Sequence, residues 1–372
     1  MKITALKRIY SGTNIFAKIE TDEGISGVGE GTLNSRATAV AAVLESVEPV
    51  IVNQDPFRIE HIWHDIFRGT FWRGGPVLMS ALAAVDMALW DIKGKALNTP
   101  VYNLLGGKCR DKIRIYHHCG GATPDDMCRN AEKLVTKGYT VIRICPHDNL
   151  ADGYYEPGVQ VRKSAKFMKK LRNAVGNGVE IIFECHTRLS PARAVELCNA
   201  IAEYRPVFVE DPIRADSPEE FRMLRAHTNV PIGTGEKFGG PWDFKTLIEE
   251  DLIDYLRNDI VICGGITSMR KTAVYGETHY LEMAPHGIPS PIGQMAAYHV
   301  DMATPNLYVQ EKGLYGDGGF PHIAIDAELK NGFVTIGDSP GLGVTLDESK
   351  CPPPTAFEHP HWRREDGSVQ DW

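Results

Sequence analysis

Two patterns of apolar and polar residues divide the chain. The first thirty residues contain short β-branched runs broken by turn residues at 11–14 and 22–24, which predicts an antiparallel meander. From residue 38 to about residue 105 the apolar positions recur at helical spacing. Strands followed by a run of helices predict a compact α+β unit over residues 1–111.

From residue 112 the pattern changes to short apolar runs separated by amphipathic helical segments. Parallel strands need a crossover helix after each strand, so this alternation predicts an α/β fold, a closed barrel over residues 112–324. A doubly wound open sheet is the competing architecture. The Gly- and Pro-rich tail, residues 325–372, is expected to leave the barrel and pack on the N-terminal unit. The candidate barrel strands are residues 113–116, 141–145, 181–184, 207–210, 232–236, 255–260, 280–285 and 307–311.

Charge and hydropathy exclude two classes of partner. The chain has 40 Lys and Arg against 48 Asp and Glu, a formal net charge of −8, and no basic run that could follow a phosphate backbone. A nucleic-acid partner is therefore not expected. No stretch of about 18 apolar residues occurs, and no basic then apolar leader precedes the first strand, so we expect a cytoplasmic protein without a membrane partner.

Six ionisable side chains lie at or beside the ends of apolar runs, at intervals of 26, 26, 23, 27 and 25 residues. That interval is the length of one strand and one helix with their loops. In a barrel these side chains would converge at the carboxyl ends of the strands, where barrel enzymes keep their active sites. In chain order they are Glu184, Glu210, Glu236, Asp259, His286 and Glu311.

The first three of these residues, Glu184, Glu210 and Glu236, predict a metal site. Clustered carboxylates after buried strands repel one another and are costly to remove from water, and a divalent cation removes both costs. Three carboxylates without a thiolate or histidine cluster fit Mg²⁺ better than zinc. The alternative is that each glutamate only forms a salt bridge at a strand end.

The remaining residues predict acid–base chemistry. Asp259 and His286 would lie on neighbouring strands, where a carboxylate bound to one imidazole nitrogen makes the other nitrogen a general base. A structural His–Asp hydrogen bond is the alternative. Glu311 could hydrogen-bond a substrate oxyanion if protonated, or form a salt bridge. His186 lies two residues after Glu184, so on an extended strand both point to the same side, and His186 could act as a general acid.

Other candidates would contact the substrate. Arg143, near the end of the second run, would be a fixed cation for an anionic substrate. Trp72 and Arg73 precede Gly-Gly-Pro, in what is either a substrate loop or only a turn. Either His117 or His118 could face the pocket, because adjacent strand residues point to opposite sides.

These motifs together resemble the enolase superfamily, and within it the acid-sugar dehydratases related to mandelate racemase, most of all the mannonate dehydratase group. The resemblance covers nearly the whole chain, from Gly27-Val28-Gly29-Glu30 through Ala88-Leu89-Trp90-Asp91 and the barrel motifs to Glu365-Asp366-Gly367-Ser368. It implies a modified (β/α)8 barrel, (β/α)7β, with an N-terminal α+β capping domain that the C-terminal segment completes.

The resemblance also implies a reaction. A lyase of this kind uses Mg²⁺, held here by the three glutamates, to remove the C2 proton of an acid sugar and eliminate its 3-hydroxyl, which gives a 2-keto-3-deoxy acid. The substrate would be an aldonate such as mannonate or a stereoisomer. His286 and Glu311 would meet the substrate, and His186 would be the acid that expels the hydroxyl.

Two departures from the family pattern keep alternatives open. Arg143-Ile144-Cys145 stands where racemases have Lys-x-Lys, and mannonate dehydratases pair such an Arg with a basic loop Tyr, so Tyr155 rivals His286 as the base. Glu184 stands where these relatives usually have Asp. The alternatives are a racemase or epimerase of a 2-hydroxy acid, and a non-catalytic protein that binds metal and acid sugar. We also expect a homo-oligomer.

Overall fold

The chain begins with the antiparallel meander that the sequence predicts. Its strands are β1 (Ile3–Ser11), β2 (Asn14–Thr21) and β3 (Ser26–Glu30). The structure is a computed structural model that describes residues 1–146, 155–214, 216–287, 290–313, 319–358 and 361–371.

Four helices follow the meander, and the third packs against β3. A Cβ on Gly27 would lie 2.1 Å from the carbonyl oxygen of Ala88, and one on Gly29 would lie 2.0 Å from that of Ala84. Only glycine permits this approach of strand to helix, which explains the glycines of the Gly-Val-Gly-Glu motif. The helices are α1 (Ala37–Ile51), α2 (Ile59–Arg68), α3 (Pro76–Ala96) and α4 (Val101–Leu104).

Seven strand–helix units and an eighth strand make up the barrel. The strands are β4 (Ile113–His118), β5 (Val141–Ile144), β6 (Glu180–Glu184), β7 (Phe208–Glu210), β8 (Ile232–Thr234), β9 (Tyr255–Leu256), β10 (Glu282–Met283) and β11 (Gln310–Glu311). The helices between them are α5 (Pro124–Thr136), α6 (Pro157–Val175), α7 (Pro191–Ile201), α8 (Glu220–His227), α9 (Pro241–Glu249), α10 (Gly265–Glu277) and α11 (Pro291–Met302). No helix in the described ranges has both the length and the apolar character to span a membrane.

The barrel closes through its first and last strands. Successive strands from β4 to β10 pair in parallel, and β11 pairs in parallel with β4. A parallel bridge between Met283 and Leu307 joins β10 to the segment before β11. This closure confirms the predicted (β/α)7β barrel and excludes the open sheet.

The barrel interior beneath the strand ends is apolar and aromatic. Arg257 is fully buried above this layer, with its guanidinium 5.6 Å from the Tyr116 ring and 6.0 Å from the Phe208 ring. Charged groups at this level are shielded from water, so they must be paired. The interior cluster consists of Tyr116, Val141, Ile182, Phe208, Ala284 and Val309.

After the barrel the chain returns to the N-terminal unit. The strand at Phe333–Ile336 (β14) pairs antiparallel with β4 of the barrel, and backbone hydrogen bonds then join Gly341 to Val101 and Pro352 to Gly12 of the N-terminal unit. These contacts are those expected of a segment that completes the capping domain. The boundaries 1–111, 112–324 and 325–372 stay predictions. The strands of this segment are β12 (Ile323–Ile325), β13 (Ala327–Lys330), β14 (Phe333–Ile336) and β15 (Val344–Leu346).

A buried carboxylate of the capping domain joins α3 to the start of α10. Asp86 is 1% exposed, and one of its oxygens accepts a hydrogen bond of 3.0 Å from the backbone N–H of Thr267. A Cβ on Gly265 would lie 2.4 Å from this carboxylate, so the glycine at the start of α10 makes room for it. Burial raises the pKa of Asp86 to about 7, although hydrogen bonds from Thr267 oppose that rise.

We predict that Asp86→Asn removes a pH dependence of stability. The ordinary pKa of this carboxyl is 3.8, so the folded state binds its proton more tightly, and this contribution is lost as pH rises through about 7. Asn stays uncharged, so the unfolding free energy of the variant minus that of the wild type should rise by up to about 4 kcal/mol between roughly pH 4 and pH 8. Urea unfolding across this range measures the difference. Exposed Asp216→Asn is the control, and a difference independent of pH would contradict the prediction.

Candidate active site

Three glutamates converge at the carboxyl ends of adjacent barrel strands. Glu184 and Glu210 end β6 and β7, where they are register partners, and Glu236 lies two residues beyond β8. One oxygen from each carboxylate lies within 4.8 Å of one from each of the others. The regular spacing in the sequence thus brings together the three residues predicted as metal ligands.

Two buried arginines donate hydrogen bonds to carboxylates of this cluster. Arg143, on β5, donates from Nη2 to Glu184 at 2.5 Å and from Nε to Glu210 at 3.1 Å. Arg257 donates from Nη2 both to Glu210 and to Glu311, the latter at 2.8 Å. Arg143 therefore orients two proposed metal ligands and is not available as a separate cation for the substrate carboxylate in this arrangement.

The two deep carboxylates respond differently to burial. Burial alone would raise the pKa of Glu184, but the charges of His186 and Arg143 outweigh it and lower that pKa. For Glu210 burial prevails over the attraction of Arg257, and the pKa is raised. A further positive charge at the cluster would favour the ionised form of both carboxylates.

The third carboxylate, that of Glu236, has an oxygen that a cation could bind. The Oε2 atom of Glu236 is buried and has no hydrogen-bond partner within the described residues; its neighbour is the Nε2 atom of His286, at 3.5 Å. A buried carboxylate oxygen without a donor is costly. Three carboxylates are the oxygen ligands that a hard divalent ion prefers, so the residues fit Mg²⁺.

His286 and Asp259 form the hydrogen-bonded pair that the sequence predicts. Nδ1 of His286 lies 2.8 Å from Asp259 Oδ2, which leaves Nε2 on the side of the cavity and of Glu236. Burial alone would lower the pKa of His286, but the carboxylates of Glu236, Glu311 and Asp259 outweigh it and raise that pKa to about 10. The imidazole is thus strongly basic while the Glu236 charge is uncompensated.

His186 lies close to the triad, but the backbone between Glu184 and His186 is not extended as the sequence predicted. Strand β6 ends at Glu184, and His186 and Thr187 adopt left-handed backbone angles, with φ of 48° and 60°. The backbone N–H of His186 donates to Glu184 at 2.5 Å, and its Nε2 lies 2.9 Å from Nη2 of Arg143. Nη2 of Arg188 lies 3.4 Å from the other ring nitrogen, Nδ1, so guanidinium donors approach both nitrogens of His186.

Glu311 is an acceptor in this structure. One oxygen contacts Nε2 of His118, and the other accepts from the backbone N–H of Gly287 at 2.7 Å as well as from Arg257. Burial would raise the pKa of Glu311, but the charges of His118, His286 and Arg257 lower it well below its usual range. Its predicted role as a protonated donor therefore does not fit the arrangement, whereas orienting His118 does.

Several of these groups line one cavity of about 330 Å³ between the barrel and the capping domain, and Glu236 is the member of the triad among them. Of the two adjacent histidines, His118 lines this cavity, while His117 lines a separate one. The capping domain supplies one wall of the cavity. The lining residues are Thr32, Leu33 and Asn34 from the cap, and His118, His186, Glu236, Lys237, Asp259, Ile262, His286, Gly287, Glu311, Lys312 and Gly313 from the barrel.

The structure does not bring Trp72 and Arg73 to this cavity. The Trp72 residue is 81% exposed, and the Arg73 guanidinium lies 5.7 Å from the ring of Phe67. Both residues line a smaller cavity of about 70 Å³ on the capping domain. Their role as substrate contacts stays a prediction.

Tyr155 also lies outside the lining of the main cavity. It is 1% exposed, its backbone N–H donates to Arg363 at 3.0 Å, and its ring lies 6.0 Å from the Arg188 guanidinium. The loop before it, residues 147–154, is outside the described residues. Its role as a base stays a prediction.

Three features of the site were missed in the sequence. Arg257 lies two residues before Asp259, and strand alternation would have placed both on one side. Lys237 lines the cavity and donates to Thr187 at 3.1 Å, but its position beside Glu236 gave no separate signal. The cap residues 32–34 belong to no local motif, because only the docking of cap on barrel brings them to the cavity.

The fold and site define a family of proteins. Residues 3–106 match the family model for the mandelate racemase / muconate lactonizing enzyme N-terminal domain. Residues 126–350 match the enolase C-terminal domain-like model. The chain belongs to the enolase superfamily, as the resemblance indicated, and it is an enzyme of that superfamily.

Similar proteins are dehydratases and an acid-sugar-bound enolase. The chain is 39% identical to a D-mannonate dehydratase of Caulobacter sp. (strain K31) over 95% of both chains, and 36% identical to a D-galactonate dehydratase of Ralstonia pickettii (strain 12J) over 100% of both. A crystal structure of an enolase from Pantoea ananatis with bound D-gluconate and Mg superimposes with a TM-score of 0.94. It is 33% identical and covers 100% of this chain and 99% of its own. The predictions of a lyase and of a Mg²⁺ cofactor agree with these findings.

We predict that Glu236→Gln weakens Mg²⁺ binding by at least about tenfold. Replacing a residue that only hydrogen-bonds to a metal ligand already costs about tenfold or more in affinity, and replacing the ligand itself should cost no less. Isothermal titration with Mg²⁺ measures the affinity. Asp259→Asn is the matched control, since Asp259 lines the same cavity but does not belong to the triad. Equal affinities for wild type and Glu236→Gln would contradict the metal assignment.

Proposed function

We propose that this protein is a Mg²⁺-dependent dehydratase of an acid sugar, an aldonate such as mannonate or a stereoisomer. It would remove the C2 proton and eliminate the 3-hydroxyl, and the enol would tautomerise to a 2-keto-3-deoxy acid. The observation that carries the proposal is a carboxylate triad whose member Glu236 lines one cavity together with His186 and His286. The names of the dehydratase relatives and the D-gluconate of the Pantoea enolase support the substrate class.

The triad of Glu184, Glu210 and Glu236 is proposed to hold the cation. Mg²⁺ bound there would supply positive charge next to the substrate carboxylate, where negative charge develops as the C2 proton leaves. Arg143 and Arg257 hold two of these carboxylates, Glu184 and Glu210, so these two are oriented before anything binds.

His286 is the proposed base. Its Nδ1 is held by Asp259 at 2.8 Å, which fixes the ring and leaves Nε2 toward the cavity. To accept the C2 proton, Nε2 must be unprotonated. The Glu236 carboxylate is one of the groups that raise the pKa of His286, so compensation of that charge would bring the pKa toward the neutral range.

His186 is the proposed acid for loss of the 3-hydroxyl. It lines the same cavity as His286, and it follows β6 while His286 follows β10, so the two imidazoles approach from different sides of the barrel. Arg143 holds Nε2 of His186 at 2.9 Å. In the proposed role, a protonated His186 would give its proton to the departing 3-hydroxyl, which leaves as water.

The direct test is a screen of stereoisomeric aldonates with the Mg²⁺-loaded protein in D₂O. We expect release of a 2-keto-3-deoxy acid from at least one aldonate, measured by a carbonyl assay and by NMR. Exchange at C2 with no keto acid would indicate a racemase or epimerase. A thermal shift by an acid sugar with neither product nor exchange would indicate a binding protein, and either result would overturn the proposal.

We predict that His286→Asn lowers the rate of keto-acid formation by at least about a hundredfold while Mg²⁺ affinity is kept, because the amide cannot accept the C2 proton. Tyr155→Phe is the matched comparison and should keep most of the rate. Steady-state kinetics on the aldonate found by the screen, with Mg²⁺ titrations of both variants, gives the answer. The opposite result, an active His286→Asn and an inactive Tyr155→Phe, would move the base role to Tyr155.

A further inference from the structure

Glu30 ends the last strand of the capping meander, yet it is hydrogen-bonded to the barrel. The residue is fully buried, and its Oε2 accepts from the Ser290 hydroxyl at 2.5 Å and from the backbone N–H of Gly293 at 3.0 Å. Gly293 belongs to the first turn of α11, whose N–H groups have no partner within the helix. A carboxylate of the cap thus completes the start of the helix that follows the His286 loop.

The same carboxylate also binds the capping domain at the edge of the cavity. Its Oε1 accepts from Nδ2 of Asn14 at 3.3 Å. Burial raises the pKa of Glu30, and the Thr32 hydroxyl is among the hydrogen-bond donors that oppose this rise. Thr32 in turn accepts from the backbone N–H of Ile15 at 3.3 Å. Thr32 and the two residues after it form the cap wall of the cavity.

We propose that Glu30 is a positioning residue for substrate binding, which fixes the wall formed by residues 32–34 at a set distance from the barrel. The inference rests on the proposed function for the identity of the ligand. Both oxygens of the buried carboxylate are occupied by donors from cap and barrel, so removing the side chain would leave several buried donors unpaired at once.

The effect is expected on binding more than on chemistry. The cap contributes residues 32–34 to the cavity, whereas the triad, His186 and His286 all belong to the barrel. Contacts made by the cap wall are the same before and during proton removal, so their loss raises KM with little change in kcat.

Asp86 supplies the matched control. It too is a buried carboxylate of the cap that accepts from an N–H at the start of a barrel helix, in its case Thr267 of α10. Asp86 and Thr267 do not line the cavity described above. A general loss of cap docking would therefore affect variants at both positions, whereas the proposed role concerns Glu30 alone.

The experiment compares Glu30→Ala, Glu30→Gln and Asp86→Asn with the wild type as Mg²⁺-loaded full-length proteins. We expect Glu30→Ala to raise KM for the aldonate by about tenfold, with kcat within about twofold of the wild type. Glu30→Gln keeps one acceptor oxygen and should recover most of the affinity, and Asp86→Asn should leave KM unchanged. If Glu30→Ala does not fold, a smaller rise of KM in Glu30→Gln but not in Asp86→Asn is the expected result.

Amide hydrogen exchange gives a readout that does not depend on turnover. Exchange in residues 31–34 should be faster in the Glu30 variants than in Asp86→Asn. Equal KM or equal exchange in the Glu30 and Asp86 variants, or a loss confined to kcat, would overturn the inference. A wild type that turns over no acid sugar would reject the proposed function instead, and the exchange measurement would still decide the role of Glu30.

Discussion

Mutual repulsion among buried carboxylates at the barrel mouth is the constraint on which the rest of the site depends. Glu184, Glu210 and Glu311 are buried at the ends of strands whose lower interior is apolar, so water cannot screen their charges, and Glu236 lies beside them at the cavity. Arg143 and Arg257 pair with three of the four, and they leave an oxygen of Glu236 without a donor among the described residues. That deficit of positive charge is what makes the cluster suitable for a divalent cation.

The capping domain meets the barrel through the same kind of group. Glu30 and Asp86 are buried carboxylates, and each accepts hydrogen bonds from the first turn of a barrel helix. A carboxylate is favoured at a helix N-terminus, so both contacts stabilise cap and barrel together, and we propose that Glu30 alone also fixes residues 32–34 beside the site. The barrel thus supplies the carboxylates and histidines of the site, and the cap supplies a wall of the cavity.

Much of the site could be predicted because a barrel converts regular spacing along the chain into proximity. The intervals between Glu184, Glu210 and Glu236 were sufficient to predict that they meet, and the Asp259–His286 pair followed from neighbouring strands. The spacing of residues does not predict the local backbone geometry after a strand. Strand alternation predicted an extended path from Glu184 to His186, whereas the chain turns there through left-handed angles. The cap wall could not be predicted either, since it depends on tertiary docking and on no spacing in the sequence.

In the proposed site the three glutamates bind one divalent cation, and the substrate anion binds beside it. A crystal structure with Mn²⁺ in place of Mg²⁺ and an aldonate added, with data recorded at the manganese absorption edge, tests it most directly. We expect a single anomalous peak within contact distance of Glu184, Glu210 and Glu236, with oxygens of the acid sugar next to it. Absence of a peak there, or a peak that contacts other residues, would show that these glutamates are not the metal site.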